Sequence, residues 1–437
     1  MTGSSMFLAL TLSNKVMLGT AMLGGIAGVI GCFAVLRGRS LVGDMLAHAA
    51  LPGIGIAFLL MNTRNPLGLS LGALVSGLFA IGAVTIIVNW TRTKEDAAIG
   101  IVLSTFFGAG VVLLSIIQKP SVGGNKAGLD SYLFGDPGDM LTADLYLLAI
   151  VTGVILLVVR LLFKEFKLVC FDTDFAQSQG WPTMTLDLTM MASLAVVTIV
   201  GLPIVGVILM AAMIILPAAT ARFWTNRLHT MLLLAGGFGM AAGLLGTKAG
   251  HGLPAGAAIV LTASTLFVLS LLFAPQRGVV ARLKAEFKLR QRMAREHLLR
   301  SLYELSESQL PQLPRIPLQR VRDYRYWRSL DSLLNHAAET GMVVRHGQTL
   351  ELTPFGFRRA AELTKAHRLW EMYLMQHANI APDHVDRDAD DVEHLLPEAL
   401  LIELEQQLAS EGRLPTIAAE IPVSPHEIDS DKTSSNR

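Results

Sequence analysis

For its first 275 residues the chain alternates between long apolar stretches and short polar breaks, and then changes to an amphipathic, charge-rich pattern. Runs of about 20 apolar residues are long enough to cross a bilayer as helices. Nine are predicted, at roughly 16–36, 41–61, 67–89, 97–118, 142–163, 183–200, 203–220, 230–247 and 254–274. Only Gly201, Leu202 and Pro203 separate the sixth and seventh, so a tight turn or a half-helix is expected there. The first run is expected to be retained, since no short cleavable leader is evident. Residues 277–300 predict a basic helix leaving the membrane beside an anionic leaflet. Residues 295–414 carry a soluble amphipathic pattern, with a short hairpin at 342–352 turning at Gly347. The segment that ends EIDSDKTSSNR is predicted to be disordered.

The expected fold is therefore an all-α polytopic membrane bundle of about nine transmembrane helices, followed by a soluble, mostly α domain with a small hairpin. Composition agrees: 52% of residues are hydrophobic and 16% charged, against about 25% charged in soluble domains. A net charge of +1 neither supports nor excludes nucleic acid. Cys32 and Cys170 both lie in the apolar part and make no disulfide framework. Lysine and arginine set the orientation. Arg37, Arg39, Arg92, Lys94, Lys164, Lys167, Arg222, Arg227, Arg277, Arg282 and Lys284 all follow odd-numbered spans. Those exits are read as cytoplasmic, which places the N-terminus outside and the C-terminal domain inside. Gly24 with Gly28, and Gly239 with Gly243, form GxxxG pairs, read as general helix packing.

Two ionisable residues stand out in the second span. Asp44 and His48 are four apart and so share a helix face. A carboxylate beside an imidazole suits a divalent transition metal, and ionisable groups at membrane depth face the bundle interior or a water path. The same residues also read as a helix-start cap and a packed histidine, and spacing does not decide between the two.

A resemblance does. RGRSLVGDMLAHAALPGIGIAF (37–58) is similar to the signature of the membrane subunits of ABC importers for manganese, zinc and iron. TKEDAAIGIVLSTFFGAGVVLLS (93–115), FDTDFAQSQGWP (171–182), VGVILMAAMIILPAATARFWTNRL (205–228) and HGLPAGAAIVLTAS (251–264) resemble the same family in the same order. Thr173 stands where the family has proline in its FDPEFA motif. The resemblance covers about 10–275. It implies that Asp44 and His48 line the translocation path and ligate the passing ion, manganese, iron or zinc. It also implies that no nucleotide is bound by this chain, and indeed no GxxxxGK[ST] is present: GLLGTKAG (243–250) has the wrong order. The implied partners are a separate cytoplasmic ATPase, an extracytoplasmic metal-binding protein, and a second permease subunit, identical or related, within the cytoplasmic (inner) membrane. Candidate ATPase-coupling residues are Ala221, Arg222, Phe223, Trp224 and Arg227 in ATARFWTNRLHT, with Phe171, Asp172 and Phe175 as a second contact.

The C-terminal region carries a second resemblance. HRLWEMYL (367–374) and VEHLLPEALLIELEQQL (392–408) resemble the metal-binding and dimerisation domain of the diphtheria-toxin-repressor family. EHLLRSLYELSE (296–307) and HAAETGMVVRHGQTLELTPFGFRRAAELT (336–364) resemble its winged-helix half. His367, Glu371, Glu393 and His394 fall on that family's ligand positions, with Asp386 and Asp390 where other ligand types stand. The aspartates favour a harder metal, manganese or iron. The proline-rich middle, SQLPQLPRIPLQRVRDYRYW (308–327), departs from the family, so DNA is not expected as a partner; Arg315, Arg320, Arg322 and Arg325 are the residues that would meet it.

The organisation expected is a transport domain at 10–275, a basic linker helix at 276–294, a degenerate winged-helix-like domain at 295–355, a metal-binding or dimerisation-like domain at 356–414 and a tail at 415–437. The expected function is a metal-importing permease, not itself an enzyme, with a cytoplasmic domain that senses metal or aids assembly. The competing readings are a membrane-anchored, metal-responsive regulator, for which nine spans are excessive, and an ion-driven transporter, whose inverted repeats are not visible.

Overall fold

The computed structural model describes residues 12–62, 65–118, 140–249, 255–309, 313–377, 402–404 and 406. The chain divides into two compact units, 1–282 and 283–437.

The first unit is helical throughout its described residues. Its elements are α1 (Leu12–Leu36), α2 (Val42–Met61), α3 (Pro66–Trp90), α4 (Glu95–Gln118), α5 (Thr142–Leu161), the short α6 (Phe163–Phe171) and α7 (Thr173–Ser178), α8 (Thr183–Trp224), α9 (Leu228–Ala249) and α10 (Ala255–Phe273). Eight helical segments are long and apolar enough to cross a membrane, and Leu209–Trp224 is a shorter apolar ninth. The break expected at Gly201–Pro203 lies instead at Gly206, the one residue of α8 with non-helical backbone (φ 76°). Only glycine takes that conformation without strain. Gly201 serves packing: a methyl group there would lie 2.7 Å from Met210 Sδ and 2.9 Å from Leu23.

The chain reverses at Gly206. On the first arm, Asp187, Met190 and Leu194 lie beside Ile30, Phe33 and Arg37, and Gly201 lies beside Leu23. On the second arm, Met213 meets Gly24, and Ile214 meets Gly31. The two arms therefore run antiparallel along α1. With the eight long segments, this short arm makes nine passes among the described residues.

Small residues set the closest approaches. A Cβ on Gly24 would lie 2.3 Å from the Gly239 carbonyl, and one on Gly243 2.4 Å from the Thr20 carbonyl. The two GxxxG pairs thus lie on the α1–α9 seam inside one chain, meeting at Gly24 and Gly239, with Gly28 against Ala235 and Gly243 against Thr20. The Thr20 hydroxyl adds a hydrogen bond to Thr247 across it, at 3.0 Å. Leu23, Ile26, Ile30, Phe33, Met45, Leu46 and Ile54 form the centre of the core. Large apolar side chains on α3, α4, α5 and α10 face outward, among them Phe79, Val112, Leu157 and Leu261, as a lipid-facing surface requires.

The second unit contains most of α11 (Val279–Ser306), then β1 (Ile316–Pro317), α12 (Leu318–Tyr324), α13 (Leu330–Glu339), β2 (Val343–His346), β3 (Thr349–Leu352) and α14 (Pro354–His377). The expected hairpin forms, pairing Val343 with Leu352 and His346 with Thr349, with Gly347 at φ 63° in the turn. A third strand joins it from the proline-rich segment: Ile316 pairs with Leu350 and Pro317 with Thr349, and the Leu318 N–H donates to the Gln348 carbonyl at 2.8 Å. Leu302, Val321, Leu334, Val343 and Leu350 fill the core of this helix-and-wing arrangement.

Candidate metal pathway

Asp44 sits in the first turn of α2 and His48 one turn later. His48 Nε2 lies 3.4 Å from Asp44 Oδ1, so the predicted pair does meet. The side chains are 21% and 34% exposed, which leaves them open on one side. The other side of the imidazole is closed by Phe107 of α4, edge to face at a centroid distance of 4.8 Å. The buried Nδ1 of His48 has no hydrogen-bond partner. Asp44 meets the ring at Nε2, not at Nδ1, so a carboxylate oxygen and an imidazole nitrogen, donor types that a borderline divalent metal takes, stand together on one face of α2.

Immediately before α2, Arg37 and Arg39 enter an ionic cluster. Arg37 pairs with Asp187 of α8 at 3.2 Å, and Arg39 pairs with both Asp187 and Glu95, the first residue of α4. Arg37 also donates to the Val169 carbonyl at 3.1 Å and to the Thr173 hydroxyl at 2.7 Å. Thr173, where the family has proline, is thus a hydrogen-bond acceptor for the turn that precedes α2. The cluster lines a cavity of about 320 Å³ with Thr85, Asn89 and Thr183. Asp44 and His48 lie on another face of α2 and do not line it. Breaking a buried ion pair by removing one partner costs roughly 3 kcal/mol or more. Asp187→Ala takes from Arg37 its carboxylate and from Arg39 one of two, and is expected to lower the melting temperature of the purified protein clearly more than Asp187→Glu, as measured by thermal denaturation in detergent.

The two coupling candidates differ. ATARFWTNRLHT forms no helix of its own: α8 runs to Trp224 and α9 begins at Leu228. Ala221 is buried and Phe223 packs on Phe267; Trp224 touches Phe238 yet stays 38% exposed, and Arg222, Asn226, Arg227 and His229 are exposed beside it. The segment is a bend between the two long helices. The other candidate forms two short helices, α6 and α7. Asp172 caps α7 by accepting from the Phe175 N–H at 2.8 Å, which turns Phe171 and Phe175 outward at 62% and 50% exposure. Trp181 and Met184 are exposed just beyond them.

In the second unit, His367 and Glu371 are together and buried, with Nε2 3.2 Å from Oε1. Arg300 of α11 reaches His367 Nδ1 at 2.6 Å and Glu304 at 3.4 Å. Burial pushes the Glu304 carboxyl up, against the pull of Arg300 and a hydrogen bond from Tyr324. Arg368 grips Glu307 with two hydrogen bonds of 2.8 and 2.7 Å. Asp386, Asp390, Glu393 and His394 lie outside the described residues. Among the described residues no group of three or more histidine, cysteine and acidic side chains forms a metal cluster. Arg315 pairs with Glu351 and Arg322 with Asp331 on the surface.

Residues 10–274 match the ABC 3 transport family. This chain belongs to that family. Residues 353–415 match a second family, the iron dependent repressor, metal binding and dimerisation domain. Among curated ABC 3 relatives, the manganese transport system membrane protein MntC of Bacillus subtilis is 36% identical over 403 residues, 92% of either chain. That alignment is too long for the membrane unit alone, so the relative shares the C-terminal region. The zinc transport system membrane protein TroC of Treponema pallidum is 41% identical over 62% of this chain and 92% of its own. A chain of PsaBC from Streptococcus pneumoniae, solved in complex with Fab, is 32% identical, with a TM-score of 0.55 over 63% of this chain and 97% of that one.

This ABC 3 chain is a multi-pass membrane protein with a soluble C-terminal domain. The ionic cluster that Asp187 and Glu95 make with Arg37 and Arg39 is not legible in the sequence. Arg37 and Arg39 were legible only as orientation signals; an aspartate within an apolar run, at 187, was the one available hint of a partner.

Proposed function

We propose that this ABC 3 permease carries a divalent transition metal ion, manganese foremost, with zinc or iron as alternatives, past Asp44 and His48. The observation that carries the proposal is the meeting of the His48 imidazole, at Nε2, with the Asp44 carboxylate on one partly open face of α2. The relatives named for manganese and zinc support the substrate class. One carboxylate and one imidazole bind a borderline metal but hold it weakly, which suits release. The open side of the pair is where a second permease copy would complete the path.

Transport is driven by a separate ATPase, and the ion is handed over by an extracytoplasmic metal-binding protein. The positive loops after odd-numbered passes place α6, α7 and the C-terminal domain in the cytoplasm. Phe171 and Phe175 are the proposed ATPase contact, since they are large, apolar and held outward by a capped helix. Changing both to Asp is expected to weaken capture of the ATPase by about tenfold, the equivalent of about 1.4 kcal/mol, with membrane levels unchanged. Co-purification measures this; capture equal to wild type would move the contact elsewhere. The C-terminal domain acts in regulation or assembly of this transporter.

The test of the function is uptake of Mn²⁺, Zn²⁺ and Fe²⁺ in cells stripped of other importers. Uptake of one ion that requires this chain supports the proposal; no ion taken up in excess of an empty control refutes it.

A further inference from the structure

The match of residues 353–415 to a metal binding domain implies a divalent metal on His367 and Glu371. The surroundings of that pair argue otherwise. Arg300, His367 and Glu371 are 4%, 1% and 0% exposed, so what they touch is protein, not solvent. A guanidinium has only donors. The ring nitrogen that faces Arg300 at 2.6 Å must therefore accept, which makes Nδ1 the bare nitrogen and puts the ring proton on Nε2. Nε2 then carries the proton and lies 3.2 Å from Glu371 Oε1, an ion-pair distance without hydrogen-bond alignment. Nδ1 is taken by Arg300.

Neither nitrogen can turn to a metal while Arg300 stays. A neutral histidine that ligates through Nε2 carries its proton on Nδ1. That proton would meet the Arg300 N–H, donor against donor, across 2.6 Å. Ligation through Nδ1 needs the place that the guanidinium fills. Arg300 is itself held from behind, by Glu304, which also accepts from Tyr324 at 2.9 Å. The arginine thus sits in a built seat, with a carboxylate on one side and the histidine on the other.

We propose that Arg300 is a resident cation that stands in for a metal at His367 and Glu371, so that these two residues lock the C-terminal unit together and bind no divalent ion. This deepens the reading of the C-terminal domain by assigning it to assembly rather than to metal sensing at these positions. It is independent of the transport path and stands or falls without it.

The test uses the full chain in lipid nanodiscs, with Asp44→Ala and His48→Ala as background so that the proposed path adds no binding. Calorimetric titrations with Mn²⁺ and with Zn²⁺ are run on this protein and on the same protein carrying His367→Gln. A glutamine amide can still accept from Arg300 and donate to Glu371, so the melting temperature is expected to hold within a few degrees. Glu371→Gln, which keeps an acceptor for Nε2–H, is the second variant should the first fail to fold. The expected result is that the titrations superimpose. A stoichiometric Mn²⁺ or Zn²⁺ site that disappears in either folded variant overturns the proposal.

Discussion

Asp44→Ala and His48→Ala are each expected to cut metal uptake at least about tenfold at matched membrane levels. Losing even an outer-shell partner of a metal ligand typically costs 10–100-fold in affinity or activity, and the proposed site, with two ligands per chain, would have no reserve. The fold should survive both changes. Asp44 makes no cap hydrogen bond in the structure, and both side chains are partly open. His48→Ala also leaves a gap beside Phe107, which rests on the imidazole. His48→Phe, which refills that gap without a ligand, should be as inactive as His48→Ala and at least as abundant. Uptake by cells, normalised to membrane protein, checks both statements. Activity in His48→Phe would make the histidine a packing residue.

Gly239→Leu is expected to prevent the bundle from assembling. A Cβ alone on Gly239 would lie 1.9 Å from the Gly24 carbonyl and 2.5 Å from its carbon. These are backbone atoms of a central helix, and no flexible side chain can give way. Overpacking a well-packed core by a methylene or two costs about 1–3 kcal/mol; forcing two backbones apart along α1–α9 exceeds that range. The outcome should be loss of the folded protein from the membrane, by detergent-extracted size-exclusion chromatography. Gly237→Leu on the same helix is the control, since nothing lies within 4 Å of its Cβ position. It should accumulate normally. Equal yields of the two variants would mean that the seam is looser than the structure has it.

The sequence carried what is local and little of what is distant. Asp44 and His48 are readable because a helix brings i and i+4 together, and two ionisable groups in an apolar run are costly without a purpose. The Val343–Leu352 hairpin is readable because Gly347 marks its turn. The ion pair between Arg39 and Asp187 spans 148 positions and had no local sign. Arginines after an apolar run say which side of a membrane they are on just as well as they say that they will be paired. The reversal in α8 was placed three to five residues early, because Pro203 is the stronger breaker by type while Gly206 is the residue whose backbone turns. His367 and Glu371 were correctly paired, yet their third neighbour is Arg300, 67 residues away, and a cation in that place changes what the pair is for.

The most direct measurement is ATP-dependent accumulation of radiolabelled Mn²⁺ in vesicles that contain this permease, its ATPase and its binding protein. Wild type is run against Asp44→Ala and His48→Ala, with ATP hydrolysis followed in the same samples. The account predicts accumulation by wild type, and its loss in both variants while hydrolysis continues. Accumulation at the wild-type rate in either variant would contradict it, and would put the path of the ion somewhere other than between Asp44 and His48.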